Sequence, residues 1–265
     1  RGKTMTNNKL IILLLTLMFF SLAVAGEKYD KRLTFNKMMV EGLLDTMQIN
    51  NIYLPYQNDG STADDAQAFF PNGTNLSFLF QGGIAASGFV NNDLRCSWMA
   101  KASLIQEFRP GNWGTDPLDS KAKFYIVEAN DAQGSQSYVD WADAVDLGAN
   151  FQDVNGDGVY DPNIDRPDIL GDRTSFCVYN DGTGEDIRSQ GLLTDPMGLE
   201  ILQTVFAFAF EDELGNVVFF RYLFVNKGDD DVQDLIFSIW ADPDIGAAED
   251  DLIGSDTTLS LGYIY

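Results

Sequence analysis

The stretch LEILQTVFAFAFEDELGNVVFFRYLFVNKGDDDVQDLIFSIW, residues 199 to 240, decides the fold class. It holds three β-prone runs, Leu199–Phe210, Val217–Asn226 and Val232–Trp240, joined by EDELGN (211 to 216) and KGDDD (227 to 231). Short polar joints between runs rich in Val, Ile, Phe and Tyr are hairpin signals, so the spacing predicts a β-meander of consecutive antiparallel strands. In the first run Val205, Ala207 and Ala209 alternate with Thr204, Phe206, Phe208 and Phe210. Both faces are largely apolar, which puts this strand at the centre of a sheet covered on both sides. Val218, Phe220, Tyr222 and Phe224 repeat the pattern. A mostly-β, antiparallel sandwich-like fold is the simplest architecture that buries so many aromatic rings.

Upstream of the meander the texture is short apolar runs broken by turn chemistry. Asn58-Asp59-Gly60, Pro71-Asn72-Gly73, Gly82-Gly83, Asn91-Asn92-Asp93 and Pro110-Gly111-Asn112 mark turns. Between them Leu76–Gln81, Ile84–Val90, Leu94–Lys101 and Lys123–Glu128 read as strands. One short helix is expected near 137–147, with Ser137 as its cap and Asp140 in the capping-box position. Tyr138, Trp141, Ala142 and Val145 share its face, and Gly148 suits its exit. A weaker helical stripe, Met38, Met39, Leu43, Leu44 and Met47, is expected around 36–47.

The N-terminus has its own logic. From Met5 it carries a basic residue (Lys9), an apolar run from Leu10 to Leu22, and the small-x-small site Ala23-Val24-Ala25. That is the pattern of a cleaved secretory signal peptide, with the mature chain starting at Gly26 and Arg1 to Thr4 read as upstream read-through. The apolar run is short for a spanning helix of roughly 20 residues. At the other end, Leu259–Tyr265 stops in a strand-like pattern with no polar tail, which reads as the front piece of a longer protein. The expected organisation is a signal at 1–25, a leader at 26–50, a β-rich region with one helix at 51–150, a loop segment at 151–172, and the meander region at 173–265.

Charge and composition narrow the function. The chain carries 40 Asp plus Glu against 17 Lys plus Arg, for a net charge of −23. Such a field repels phosphate backbones and anionic lipid, so nucleic acid is excluded as a natural partner and cations are favoured. No membrane span is expected once the signal is removed. There is no histidine, which rules out Ser-His-Asp triads, Cys-His dyads and His-ligated zinc. Cys96 and Cys177 are the only cysteines. Export would permit a disulfide between them, and two separate buried thiols fit equally.

The segment DVNGDGVYDPNIDRP, residues 153 to 167, carries the strongest site pattern. Calcium takes six to eight oxygens, and a tight loop can supply them from alternate residues. Asp153, Asn155 and Asp157 stand at positions 1, 3 and 5 of such a loop, with Gly158 at the sharp turn of position 6. Val159 offers a backbone carbonyl from position 7, and Asp161 stands at 9. Position 12 departs from the pattern, since Ile164 replaces the bidentate Glu; Asp165, one residue on, is the substitute. Pro162 and Pro167 argue against an exiting helix. The expectation is therefore a calcium loop without a helix pair, against the alternative of an acidic turn held by its own side chains. A second acidic cluster, Asp242, Asp244, Glu249, Asp250, Asp251 and Asp256, fits no loop spacing and reads equally as a second cation site or a solvated sheet end.

The strings YQNDG, EFRPG, DVNGDGVYDPNIDRP, CVYNDG and GLEILQTVFAFAFEDELGNVVFFRYLFVNKG, followed by SIWADPDIGAAEDDLIGSDTTLSLGYIY, carry a resemblance. The chain resembles, over most of 50–265, the N-terminal region of large secreted Bacteroidota proteins, many of which end in a type IX secretion sorting domain. That resemblance implies outer-membrane export, a surface or extracellular location and further modules downstream; it implies no reaction. Two functions follow. One is a calcium-binding structural or adhesive module with no catalytic residues. The other is a carbohydrate-active enzyme or a module binding surface glycans, with Trp98, Trp113, Trp141 and Trp240 as stacking rings and paired carboxylates for hydrolysis.

Overall fold

The computed structural model describes residues 44–63, 67–100, 105–183, 188, 194–246 and 250–265. The expected signal peptide, the leader up to residue 43 and most of the 36–47 helical stripe lie outside the described residues. The stripe's remaining part corrects that expectation: Leu44–Met47 is a strand, β1, paired antiparallel with Leu54–Gln57 (β2). Its Met47 and, on the paired strand, Leu54 and Tyr56 are buried, while Leu44 is exposed, so these apolar residues form no helical stripe. Among the described residues no helix is long and apolar enough to cross a membrane.

The chain continues through β3 (Ala68–Phe69), the long β4 (Ser77–Val90), β5 (Asp93–Ala100), and the short β6 (Ile105–Gln106) and β7 (Arg109–Pro110). Next come β8 (Tyr125–Glu128), helix α1 (Gln136–Asp146), β9 (Phe151–Gln152) and β10 (Arg166–Pro167). The remainder is β11 (Arg173–Asn180), β12 (Leu199–Ala207), β13 (Val218–Asn226), β14 (Val232–Pro243), β15 (Ile253–Asp256) and β16 (Leu261–Ile264). The fold of the described residues is mostly β, with antiparallel sheets and, among those residues, one short α-helix, as the sequence predicts.

Two five-stranded sheets organise it. Sheet I runs β13-β12-β11-β7, with β8 also on β11; sheet II runs β14-β4-β5-β6, with β3 on β4. Strands from before and after the 153–165 loop share both sheets. Between the sheets lie Ile84, Ala86, Val90, Phe108, Cys177, Tyr179, Leu199 and Ile201, all buried. The other face of sheet I is covered by α1, whose Tyr138, Trp141 and Ala144 pack on Phe176, Val178 and Leu202. β12 is thus apolar on both faces because it has a core on each side, as its sequence pattern requires.

Helix α1 begins one residue before the expected start, with Ser135 in the cap position and no side-chain capping bond. The Ser137 hydroxyl instead donates to Asp131 (2.7 Å), and Asp140 accepts from Gln136. Its exit follows the sequence. Gly148 has φ +103°, and Ala149 N–H reaches back to the Ala144 carbonyl (2.8 Å) while Gly148 N–H bonds to Val145. That left-handed closure satisfies the last carbonyls of the helix.

Two turns came out differently from each other. Asn91 and Asn92 both have positive φ (52° and 67°) and join β4 to β5 in register Val90↔Asp93. Two left-handed residues in a two-residue loop match the right-handed twist of the strands. Gly82-Gly83, by contrast, is no turn. β4 runs straight through it, and Gly82 exchanges both backbone hydrogen bonds with Thr62.

The meander is corrected at its third strand. β12 and β13 form the expected hairpin, from Leu199↔Asn226 to Ala207↔Val218. β14 does not add to β13; it crosses the core and pairs with β4 in sheet II. The joint explains the crossing. Lys227 N–H bonds to the Gly198 carbonyl, Gly228 N–H to the Asn226 side chain, and Asn226 Nδ2 to the Asp230 carbonyl, so the segment curls over the sheet end. Phe224 of β13 and Phe237 of β14 then stack face to face at 3.6 Å across the sandwich. The long β4 also offers an otherwise empty edge, which β14 fills.

Where β14 meets β4 the register slips between Gln233 and Ile236, and Gly88 lies opposite the extra residues. A Cβ on Gly88 would come within 2.8 Å of Val232 Cγ1 and 3.1 Å of the Gln233 carbonyl. Gly88→Ala is therefore expected to cost about 1–3 kcal/mol through overpacking at the bulge. Urea denaturation measures it, and a loss below roughly 0.5 kcal/mol, the usual range for a neutral surface change, would show that the bulge yields freely.

Candidate metal centre

The 153–165 loop leaves and returns through the two-residue ladder of β9 and β10, with Gln152↔Arg166 and Phe151↔Pro167. Within it the acidic side chains turn onto the loop's own N–H groups. Asp153 accepts from Gly156 and Gly158 N–H, each at 2.8 Å. Asn155 accepts from Asp157 N–H (3.1 Å), and Asp157 accepts from Val159 N–H (2.8 Å). Gly156 and Gly158 have φ of 77° and 76°, with open space where a Cβ would stand, so glycine is needed there for conformation alone.

Asp165 is the anchor. It is fully buried, and its two oxygens accept from Val154 N–H and Asp161 N–H, both at 2.8 Å, tying the loop's start to its end. The Gln133 side chain supports this end from outside by donating to the Pro162 and Asp165 carbonyls. Asp161 accepts from the Asn163 backbone N–H (2.8 Å) and from the Asn163 side-chain amide (3.2 Å). The structure therefore brings Asp153, Asn155 and Asp157 into one wrapped turn and closes it with Asp165. It does not draw the carboxylates to one point: among the described residues no group of three or more His, Cys, Asp or Glu side chains is gathered closely enough to hold a metal ion.

The donor chemistry fits calcium all the same. Asp153, Asn155, Asp157, the Val159 carbonyl, Asp161 and Asp165 supply oxygen only, as a hard cation requires. Among the described residues no Lys or Arg is paired with these carboxylates, while Arg173, Arg221, Lys121 and Lys227 are engaged elsewhere.

The other candidates separate. Asp242, Asp244 and Asp251 line an open cleft of about 410 Å³ with Phe80, Pro243, Ile253 and Ile264. Asp251 accepts from Ile245 N–H and Asp256 from Thr258 and Leu259 N–H; Glu249 lies outside the described residues. The tryptophans form no common groove. Trp141 is core, Trp98 and Trp240 meet edge to face at 5.8 Å on sheet II, and Trp113 donates its backbone N–H to buried Glu200. Cys96 and Cys177 are both free thiols, on β5 and β11, and burial pushes the Cys177 thiol well up.

One buried polar centre was not anticipated. Asp181, just after β11, accepts from Met197 N–H (2.7 Å), Gly198 N–H (3.1 Å), Leu199 N–H (2.8 Å) and the Ser97 hydroxyl (2.8 Å). Arg188, also fully buried, donates to the Asp181, Cys96 and Thr194 carbonyls and to Ser97. Since Ser97 belongs to sheet II and Asp181 follows a strand of sheet I, the centre stitches the two sheets together. Burial pushes the Asp181 carboxyl up from its ordinary value, and its hydrogen bonds and Arg188 counter this only in part. A carboxyl raised in this way binds its proton more tightly folded than unfolded. Its contribution to stability therefore falls as pH rises from the ordinary carboxylate value through the raised one.

Comparisons of the chain with protein-family models, with curated proteins and with solved structures find no match.

Proposed function

We propose that this chain is a secreted or cell-surface structural module stabilised by calcium, the N-terminal part of a larger protein of the Bacteroidota type it resembles. The observation that carries this reading is the 153–165 loop, wrapped at two left-handed glycines and tied end to end by buried Asp165. Four carboxylates within one loop repel each other, and a divalent cation relieves that repulsion. A module of this kind uses the cation to stiffen an extracellular surface and asks no chemistry of it. The signal-peptide pattern supports export, and the acidic composition supports a cation partner.

Calorimetric titration of chelator-treated protein tests it. Calcium is expected to bind once, with Kd on the order of 10⁻⁴–10⁻³ M, and magnesium more weakly because it demands a smaller shell and dehydrates reluctantly. A tenfold excess over Kd should stabilise the fold by about 1.4 kcal/mol, seen as a rise in melting temperature and slower proteolysis near Gly156–Asp161. Asp157→Ala should abolish both effects. No binding up to millimolar calcium, or undiminished binding by Asp157→Ala, would leave the stretch a self-bonded acidic turn.

A further inference from the structure

β14 is the outermost strand of sheet II, and its free side is unusual. Ile236 is 61% exposed, Phe237 41% and Ile239 84%. Between the register slips at Gln233/Ile236 and Asp242/Pro243, the six residues Ile236–Ala241 run in unbroken pairing with Ser87 to Gly82. Those six residues hold no charge and no proline. Edge strands are normally protected by lysine, proline, inward charge or bulges, and here only the two ends are bulged. About half of the backbone N–H and C=O groups of an antiparallel edge strand point away from its neighbour. Among the described residues no other backbone group bonds to this side of Ile236–Ala241.

The charge around the edge is of one sign. Asp229, Asp230, Asp231 and Asp234 precede the six residues, and Asp242 and Asp244 follow them. Arg221 and Lys227, the nearest bases in sequence, are held by Asp168 and Glu200, and no Lys or Arg occurs between 228 and 265. A second copy of this chain is a poor occupant. Antiparallel pairing of two such edges would set Asp231 and Asp234 of one against Asp242 and Asp244 of the other.

We propose that the outer edge of β14 at Ile236–Ala241 is a strand-addition site for an extended peptide segment with an apolar, β-prone centre and basic flanks. The backbone edge and the exposed Ile236 and Ile239 supply the recognition of the centre, and the acids at each end select the flanks. This does not rest on the calcium reading, and running the titration with calcium and with chelator keeps the two apart.

The probe is a fluorescently labelled peptide, KKTVTVTKK, titrated by polarisation. Two controls accompany it: EETVTVTEE, with reversed flanks, and KKTPTPTKK, which keeps the charge but lacks the central N–H donors. Both controls should bind at least about tenfold more weakly, a difference of about 1.4 kcal/mol. Ile236→Lys/Ile239→Lys should weaken the first peptide by a similar factor. Both side chains are exposed, so the far-UV spectrum and melting temperature should not change. Equal binding of the proline peptide would reduce the effect to charge alone and overturn strand addition. Unchanged binding by the double variant would place any site elsewhere. Sedimentation showing a dimer that the double variant abolishes would give the edge to a second copy and overturn the proposed partner.

Discussion

Asp181→Ala should lower the unfolding free energy by about 3–5 kcal/mol, the range for breaking a buried charged centre by removing one side of it. The loss has several sources. Three backbone N–H groups, those of Met197, Gly198 and Leu199, lose a buried acceptor, and each orphaned donor costs roughly 1–3 kcal/mol before relaxation. The Arg188 guanidinium would remain fully buried beside carbonyls and Ser97 with its nearby carboxylate gone. For a domain of this size the melting temperature should fall by roughly 10 °C. Asp181→Asn keeps one acceptor oxygen and turns an NH2 group toward the remaining donors, so it should be damaging but milder. A loss below about 1 kcal/mol for the alanine variant would mean that water or rearranged backbone replaces the carboxylate.

Trp141→Ala should cost about 3–5 kcal/mol, as large aromatic truncations in a packed core do. The ring is 1% exposed, lies 6.0 Å from Phe176 between α1 and sheet I, and its indole N–H holds the Asn150 carbonyl at 3.0 Å. Truncation empties that layer and frees the carbonyl just before β9. Trp240→Ala, which removes a half-buried ring on sheet II, should lose less than half as much. Comparable losses for the two would contradict the assignment of α1 and sheet I as a tightly packed layer. The same burial removes Trp141 from any sugar-stacking role.

These two sites also mark what can be read from a sequence. Trp141 was legible as part of a helix face because α1 has a local period, and the Asn91-Asn92 turn because two left-handed residues leave a chemical trace. The β12–β13 hairpin followed from a short joint. The destination of β14 did not, since a strand's pattern specifies its faces and leaves its neighbour open. β11 escaped notice for another reason. Its Thr174, Ser175 and Asn180 look like surface residues, yet seven of its eight positions are buried. Thr174 accepts from Leu170 N–H, Ser175 donates to Asp45, and Asn180 holds Gly111 and Asn112. Polar residues buried by long-range bonds give no hydropathy signal. The Asp181 centre is the extreme case, because its partners Ser97 and Met197–Leu199 are remote in sequence. In the candidate metal centre the offsets of Asp153, Asn155 and Asp157 were readable; Asp165 was expected to close an ion's shell, and what the structure shows is its carboxylate tying the loop's two ends through the Val154 and Asp161 N–H groups. The direction each carboxylate takes was not, since it depends on which N–H groups the turn presents.

The crossing of β14 has a consequence for how the chain acquires its structure. β4 waits for a partner that comes far later, with Leu79 facing Pro243 and Val90 facing Val232. A chain delivered N-terminus first can close the β4–β5 hairpin early, because its turn is local. Sheet II gains its last strand only after the whole of sheet I has emerged. Pairings this distant must overcome a large loop-closure entropy before they return any contacts, which slows folding. Until then one side of β4 is bare, and Ile84 and Ala86 lack the cover that β14 brings. The chain thus passes through a stage with an unpaired strand in its first half, the condition under which association with other chains competes with folding.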